Sequence, residues 1–361
     1  MEGRYACGQA VGIDLHCARS VVVRLDADGH RVGVDRVVNS DPGALVAAAD
    51  RGGPGAPVAL EACYGWYWAE QQLSAAGHPV TLVHPSGLGS TWENRRVKND
   101  VRDAEELARR LQRGDLPLAW IAPPEVRELR ELVRFRRKLV ATRTGMKAQV
   151  HAVLAKEGLH VPVADLFGAR GRRLLAQLPL GVTYRDRVQV LLALIDAIDV
   201  QIAAVEAQTA TMIAAEPAWA QALERAQILP GVGPVLGAVF VAEIGDVTRF
   251  SSAGALCSWA GMTPRHRESD RKVHRGRITK QGNRLVRWAA IEAVQRTRGA
   301  PNTPMAAVYT RMLARRKDAR NAAKVAAARE LLECLYYALR DGYVIRLHDV
   351  RTGQIAESRS C

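Results

Sequence analysis

The stretch that decides the fold of the first third is Val11-Gly12-Ile13-Asp14-Leu15, an apolar run with a single carboxylate inside it. Such a run reads as a buried β-strand, and a charge within it is costly unless paired or bound to a cation. Working outward, Ser20–Leu25 reads as a second strand, leading into the turn Asp26-Ala27-Asp28-Gly29, residue types that favour tight reversals. Val58–Glu61 is another short apolar strand, entered from the Gly/Pro-rich segment Gly52–Pro57 and again closed by an acid. A helix around Trp66–Ala76, a strand over Pro79–Val83 and a helix over Asp100–Arg113, stopped by Gly114, follow. Strands interleaved with helices after one early hairpin predict an α/β domain built on a mixed sheet.

Beyond Glu125 the pattern turns helical. Glu125–Glu157 is long, polar and basic, Gly158–Gly181 reads as a connection, and Arg185–Ile213 is a second long helix. Its apolar residues Leu191, Ile198, Val205 and Met212 recur every seven positions, with Leu194, Ile195 and Ile202 beside them. This is a coiled-coil-like seam, open either to packing within one chain or to self-association. The last third, from about Ala222 to Tyr343, is mainly helical, and a tail follows. The expected division is a first domain over 1–157, a helical spacer over 158–221, a basic domain over 222–345 and a tail over 346–361.

A 361-residue chain that is 48% hydrophobic and 24% charged has the make-up of an ordinary cored protein. Its net charge of +14 is not ordinary and points to a polyanionic partner, of which nucleic acid is the commonest. Cys7, Cys17, Cys63, Cys257, Cys334 and Cys361 form no CxxC pair and no zinc spacing with histidines, so they read as small apolar residues of a reducing compartment. No basic stretch followed by an apolar core opens the chain, and no uncharged apolar run approaches the ~20 residues of a membrane span. A cytoplasmic location, away from membranes, is the expectation.

Four acids stand out. Asp14 and Glu61 sit in or at the end of apolar strands; Asp100 and Asp103, three apart, share one face of their helix. Converged, they would offer the hard oxygen ligands that Mg²⁺ (or Mn²⁺) takes, and a pair of such ions clamps both oxygens of an in-line phosphoryl displacement. Each acid also has a plainer reading: Asp14 solvated at the sheet edge, Asp100 as a helix cap, Glu61 and Asp103 paired with Arg95, Arg96 or Arg102. Spacing alone does not choose.

In the last third, Leu229-Pro230-Gly231-Val232-Gly233-Pro234 joins two readable helices, Ala218–Ile228 and Val235–Ile244, and resembles a helix–hairpin–helix element. There Gly231 and Gly233 could let backbone N–H groups approach a phosphate, or simply make a tight turn. Gly261–Ala300 carries eleven Lys or Arg against three acids, a density suited to a phosphate backbone. Arg265, Arg267, Arg271, Lys272, Arg277, Lys280, Arg284 and Arg287 are its candidate phosphate contacts. Ser269, read as a loop residue, lies among the first four of these. A serine hydroxyl needs help losing its proton and cations to hold the developing charge, and the arginines meet the second need. Ser251 and Ser252 read as the cap of the helix that runs through Trp259.

The order Gly12-Ile13-Asp14, Leu60-Glu61-Ala62, Lys98-Asn99-Asp100-Val101-Arg102-Asp103-Ala104 resembles the DEDD domain of insertion-sequence transposases of the 110 type, with their 1111 and 116/902 relatives. A second set resembles the other domain of the same family: Phe250-Ser251-Ser252, Trp259-Ala260-Gly261-Met262-Thr263-Pro264, Glu268-Ser269-Asp270 and Gly276-Arg277-Ile278-Thr279-Lys280-Gln281-Gly282-Asn283. The resemblance runs from about Val11 to Tyr343. It implies a RuvC-like, RNase H-like α/β first domain, a coiled-coil spacer and a mainly α last domain. It also implies a composite active site of Asp14, Glu61, Asp100 and Asp103 holding metal, with Ser269 forming a covalent link to DNA. The partners it implies are donor and target DNA, a bridge RNA that pairs with both, and further copies of the chain in a dimer or tetramer. One departure is Asp270, where the family often has glycine after the serine; it puts the local loop geometry in question. Two rival readings are a junction-resolving nuclease using water and a non-catalytic nucleic-acid-binding scaffold.

Overall fold

The computed structural model describes residues 9–87, 99–269, 272–296 and 302–343. The chain divides into two compact units, Met1–Ile121 and Ala122–Cys361. The long helix that begins at Pro124 therefore belongs to the second unit.

The first unit is a five-stranded mixed sheet, in the order β3-β2-β1-β4-β5. Strands β1 (Ala10–Leu15), β2 (Arg19–Leu25) and β3 (Arg31–Val38) form an antiparallel meander; β4 (Val58–Glu61) and β5 (Val80–Val83) run parallel to β1. At the first turn the Asp26 carboxylate accepts the backbone N–H groups of Asp28 and His30. Strand β3 and helix α1 (Pro42–Asp50) were not read from sequence. Helix α1 begins with Pro42, and the Asp41 side chain accepts the Ala44 N–H.

Every residue of β1 is buried, and its two faces meet different layers. Val11, Ile13 and Leu15 pack with Leu45, Ala48, Ala69 and Leu73 of α1 and α2 (Trp66–Ala75). Ala10 instead packs with Ala59, Leu107 and Leu111, so α3 (Asp100–Arg113) covers the opposite face. The two-residue period of a strand assigns Gly12 and Asp14 to that α3 face. Gly12 is where the layers come closest: a Cβ there would lie 2.7 Å from the Ala108 nitrogen and closer still to the Ala104 carbonyl oxygen.

The second unit is mainly helical, as expected. Helices α4 (Pro124–Lys156) and α6 (Val182–Ala215) pack side by side and run antiparallel, tied by Arg136–Glu206, Arg143–Asp199 and Arg187–Gln149. At one end of this hairpin, α5 (Ala169–Gln177) closes a small core of Val150, Leu154, Leu175 and Leu191. A larger core, with Phe240, Leu256, Leu331 and Leu335 at its centre, gathers α7 (Pro217–Gln227), α8 (Pro234–Ile244), α9 (Ala253–Trp259), α10 (Arg284–Arg296) and α12 (Arg320–Asp341). Helix α11 (Pro304–Arg315) adds Met305 to it.

Three further findings depart from the sequence reading, the first being that helix α5 lies within Gly158–Gly181, read as a connection. Pro264–Ser269 and Lys272–Ile278 are strands β6 and β7 of an antiparallel hairpin, so Ser269 ends a strand instead of lying in a loop. Helix α6 is long and apolar enough to cross a membrane, with mean hydropathy 1.9 over an 18-residue window, where no such segment was expected. Along its length, however, Asp196 and Asp199 are ion-paired to Arg172 and Arg143 of the same unit.

Candidate active site

The four candidate acids, all in the first unit, lie on elements that meet at one end of the sheet. Strand β1 pairs with β4 in parallel, Ile13 opposite Leu60. Asp14 and Glu61 are the next residues on the two strands, and both belong to the α3 face, since Ala59 and Ala10 pack there. The Cys63 thiol reports the same neighbourhood: burial raises it above its ordinary value, and the charges of Glu61 and Asp14 raise it further.

Helix α3 brings the other two acids. Its cap is Asn99, whose side chain accepts the Val101 N–H, so Asp100 is the first helical residue and the capping alternative for it falls away. Asp103 is buried in the row that continues through Ala104, Leu107, Ala108 and Leu111. Because Ala104 and Ala108 are the residues that abut Gly12, the first turn of α3 is carried to the C-terminal end of β1.

His16 joins the two elements, and sequence reasoning had missed it. Its Nε2 lies 3.2 Å from Asp14 Oδ2 and 3.5 Å from Asp100 Oδ1. The segment that carries it is pinned: the Asn39 amide donates to the His16 carbonyl at 2.6 Å, and the Asn39 backbone N–H donates to Ala18. The available signal was the spacing Asp14-Leu15-His16, since alternate residues of an extended chain share a face. Donor atoms of Asp14, His16 and Asp100 all fall within 4.8 Å of one another. Carboxylates crowded at a buried strand end, with Asp14 8% and Asp103 5% exposed, make a donor set that fits a divalent cation.

In the second unit the basic candidates whose side chains are described separate into two groups. Arg265, Arg277, Lys280 and Arg284 are exposed, and among the described residues none forms an ion pair. Arg287, by contrast, donates to the Ala260 carbonyl at 2.6 Å, and burial together with the neighbouring Arg284 lowers it from the ordinary arginine value. Ser269 and Lys272 face each other as the last pair of β6 and β7, with Arg267 two residues earlier on β6. The side chains of these three, and Asp270 and Arg271 altogether, lie outside the described residues. Lys280, just after β7, has φ +57, a left-handed conformation rare for a residue with a side chain.

The turn between α7 and α8 uses its glycines unequally. Gly231 has φ +85, and a Cβ there would collide with the Ala293 carbonyl of α10. Gly233 caps α8 and has open space around it. Nearby, the buried Glu243 carboxylate accepts two guanidinium N–H groups of Arg134, at 2.7 and 2.9 Å, and the Asn283 amide at 2.7 Å. Asn283 in turn accepts the N–H groups of Leu285 and Val286, fixing the start of α10 just after the basic hairpin. The Ser252 hydroxyl accepts the Ala255 N–H, as expected of a cap.

Comparison with known proteins agrees with both halves of this description. Residues 11–157 match the family model of the IS110 DEDD domain, described as a transposase, and residues 223–310 match that of the transposase IS116/IS110/IS902 family. All four acids lie in the first match; Gly231, Gly233, Ser269 and the basic candidates lie in the second. Among relatives, the chain is 29% identical over 248 residues to y4qE of Sinorhizobium fredii, named as a transposase, covering 68% of this chain and 59% of that protein. It is 27% identical over 252 residues to the transposase for insertion sequence element IS1111A of Coxiella burnetii, covering 66% of this chain and 65% of that one. A 75-residue stretch is 41% identical to a 44.8 kDa protein of insertion element IS116 of Streptomyces clavuligerus, 20% of this chain and 19% of that protein. The matches to the first two therefore span 59% and 65% of the relatives' own length, less than two thirds of each.

Proposed function

Because this chain belongs to the IS116/IS110/IS902 transposase family, with both family domains in order, we propose that it cuts and rejoins DNA as the recombinase of an insertion sequence. The observation that carries this reading is the meeting of Asp14, Glu61 and the first turn of α3 at one end of a mixed sheet. Asp14, Glu61, Asp100 and Asp103 would hold Mg²⁺ or Mn²⁺, which when bound stabilises charge on the phosphoryl oxygens.

Ser269 is the proposed nucleophile. Its Oγ–P bond forms as the bond from phosphorus to a deoxyribose oxygen breaks, and the serine proton passes to a base or to the leaving oxygen. The exposed Arg265, Arg277, Lys280 and Arg284, together with Arg267, Arg271 and Lys272, would grip phosphates, which positions a strand without reading its sequence. Sequence choice then falls to base pairing, so a bridge RNA is the proposed guide to donor and target DNA. Gly231 and Gly233 are proposed to bring the α7–α8 turn, as a helix–hairpin–helix, to the backbone.

A homo-oligomer is part of the proposal, and α6 supplies the surface. Its residues Leu191, Ile195, Ile202 and Val205 are buried within the chain. On another side of the helix, Val190, Ala193, Ala197, Val200, Ala204 and Ala207 are all exposed, at alternating spacings of three and four. That is the seam of a second coiled-coil contact, suited to the same stripe on another copy.

The test is a cleavage assay with labelled DNA, the RNA transcribed from the flanking non-coding DNA, and Mg²⁺, resolved on a denaturing protein gel. A DNA–protein adduct in wild type that is absent from Ser269→Ala and Asp14→Asn is the expected result. Free cut ends without adduct, still produced by Ser269→Ala, would overturn the serine step and leave a hydrolytic nuclease. Binding without cleavage in wild type would leave a scaffold.

A further inference from the structure

The acids account for oxygen donors only, yet the His16 imidazole stands within 3.5 Å of carboxylate oxygens of both Asp14 and Asp100. We propose that His16 Nε2 is itself a ligand of the cation site, giving it a mixed nitrogen–oxygen donor set that prefers a first-row divalent transition ion to Mg²⁺. The inference rests on the reading of the acids as a metal site and adds a residue outside the four carboxylates.

Geometry is the first argument. Neighbouring donors around an ion held at 2.0–2.2 Å are about 3 Å apart. His16 Nε2 stands 3.2 Å from Asp14 Oδ2 and 3.5 Å from Asp100 Oδ1. The imidazole is thus already at near-ligand spacing from one oxygen on β1 and one on α3. Presentation is the second. The His16 backbone carbonyl accepts the Asn39 side-chain amide N–H, and the Asn39 Oδ1 accepts the buried Ser20 hydroxyl at 2.6 Å. A segment held this firmly presents its side chain with little ordering left to do on binding. Donor chemistry is the third: Mg²⁺ takes oxygen ligands and keeps its waters, whereas imidazole favours ions further along the Irving–Williams series.

Pulsed electron paramagnetic resonance of Mn²⁺ bound to the full-length protein tests this, because a directly bound imidazole couples its nitrogen to the manganese spin. Wild-type protein should show the coupling, and it should vanish in both His16→Ala and His16→Gln. His16 is 44% exposed in its side chain, so neither variant threatens the fold. Mn²⁺ affinity should fall by roughly tenfold or more in both, while Mg²⁺ affinity, read by competition, stays within about twofold.

The other described group able to hold a cation, Asp26, Asp28 and His30 in the first turn, also contains an imidazole, so His30→Ala is the control and should keep the coupling. Coupling that survives His16→Gln but is lost in His30→Ala would overturn the proposal. So would Mn²⁺ bound with unchanged affinity and no nitrogen signal, which would make His16 a simple ion-pair partner and leave the carboxylate site standing. Failure of wild type to bind Mn²⁺, or binding indifferent to Asp14→Asn, would instead remove the metal-site reading and this inference with it.

Discussion

Gly12→Ala is the most informative single change in the first unit, because it adds one methyl group where β1 and α3 have no room for it. The new Cβ would lie 2.7 Å from the Ala108 nitrogen and closer to the Ala104 oxygen, whereas carbon makes its best contacts at about 3.5–4.0 Å. Both obstacles are helix backbone, which cannot rotate away as a side chain would. Helix α3 must therefore retreat by on the order of 1 Å, and Asp100 and Asp103 go with it, away from Asp14 and Glu61. Overpacking of this kind destabilises by about 1–3 kcal/mol. A misplacement of about 1 Å in a catalytic constellation costs up to roughly a hundredfold in rate. Urea unfolding followed by circular dichroism gives the first quantity; DNA cleavage with Mn²⁺ affinity gives the second. The diagnostic result is a variant that stays folded below its transition yet loses metal affinity and cleavage together. Wild-type stability with wild-type metal affinity would refute the close approach and, with it, the placement of the α3 acids beside β1.

Two further outcomes follow from particular side chains. Cys63 should work as a built-in reporter of the acids: its thiol is raised by burial and by Glu61 and Asp14, so Asp14→Asn should shift its alkylation profile to lower pH. Cys257, pushed up to about 12 by burial, is the internal control, with about one thiol in ten thousand ionised at pH 8. An unchanged Cys63 profile would separate it from Asp14. On α6, the double substitution Ala197→Glu and Val200→Glu should leave the melting temperature nearly unchanged, since exposed positions tolerate such changes within about 0.5 kcal/mol, yet lower the mass seen by light scattering to that of a single chain. A wild-type protein already monomeric at working concentration refutes that surface.

The first unit was legible where one residue carries a physical contradiction. A carboxylate within Val11–Leu15 demanded a partner, and the strand period then gave its face once the neighbours were known. What the sequence could not supply was the pairing of β1 with β4, because parallel neighbours lie far apart in the chain and share no local signal. Strand β3 escaped for a different reason. It is an edge strand, half exposed, and carries Arg31, Asp35 and Arg36 among its valines, so its alternation is blurred. Asp35 sits there comfortably because Arg24 and Arg51 both bind it. His16 was overlooked because a lone histidine beside a strand carries no contradiction of its own; it gains meaning only when α3 delivers Asp100 to it.

Helix α6 shows how far periodicity can be pushed. A heptad pattern says that one face will be covered, and Leu191 and Val205 are indeed buried, but it does not say by what. The ion pairs Arg136–Glu206 and Arg143–Asp199, one heptad apart on each helix and running in opposite senses, identify the cover as α4 of the same chain. Those pairs could not be read in advance, since each joins residues more than fifty positions apart. Once α4 occupies that seam, only 28% of the most apolar 18-residue window of α6 is buried inside the chain. The proposed second contact rests on what α4 leaves exposed, the valines and alanines from Val190 to Ala207 at alternating spacings of three and four. Self-association through α6 is thus an argument from the leftover surface, and it stands apart from the seam that the sequence displayed most plainly.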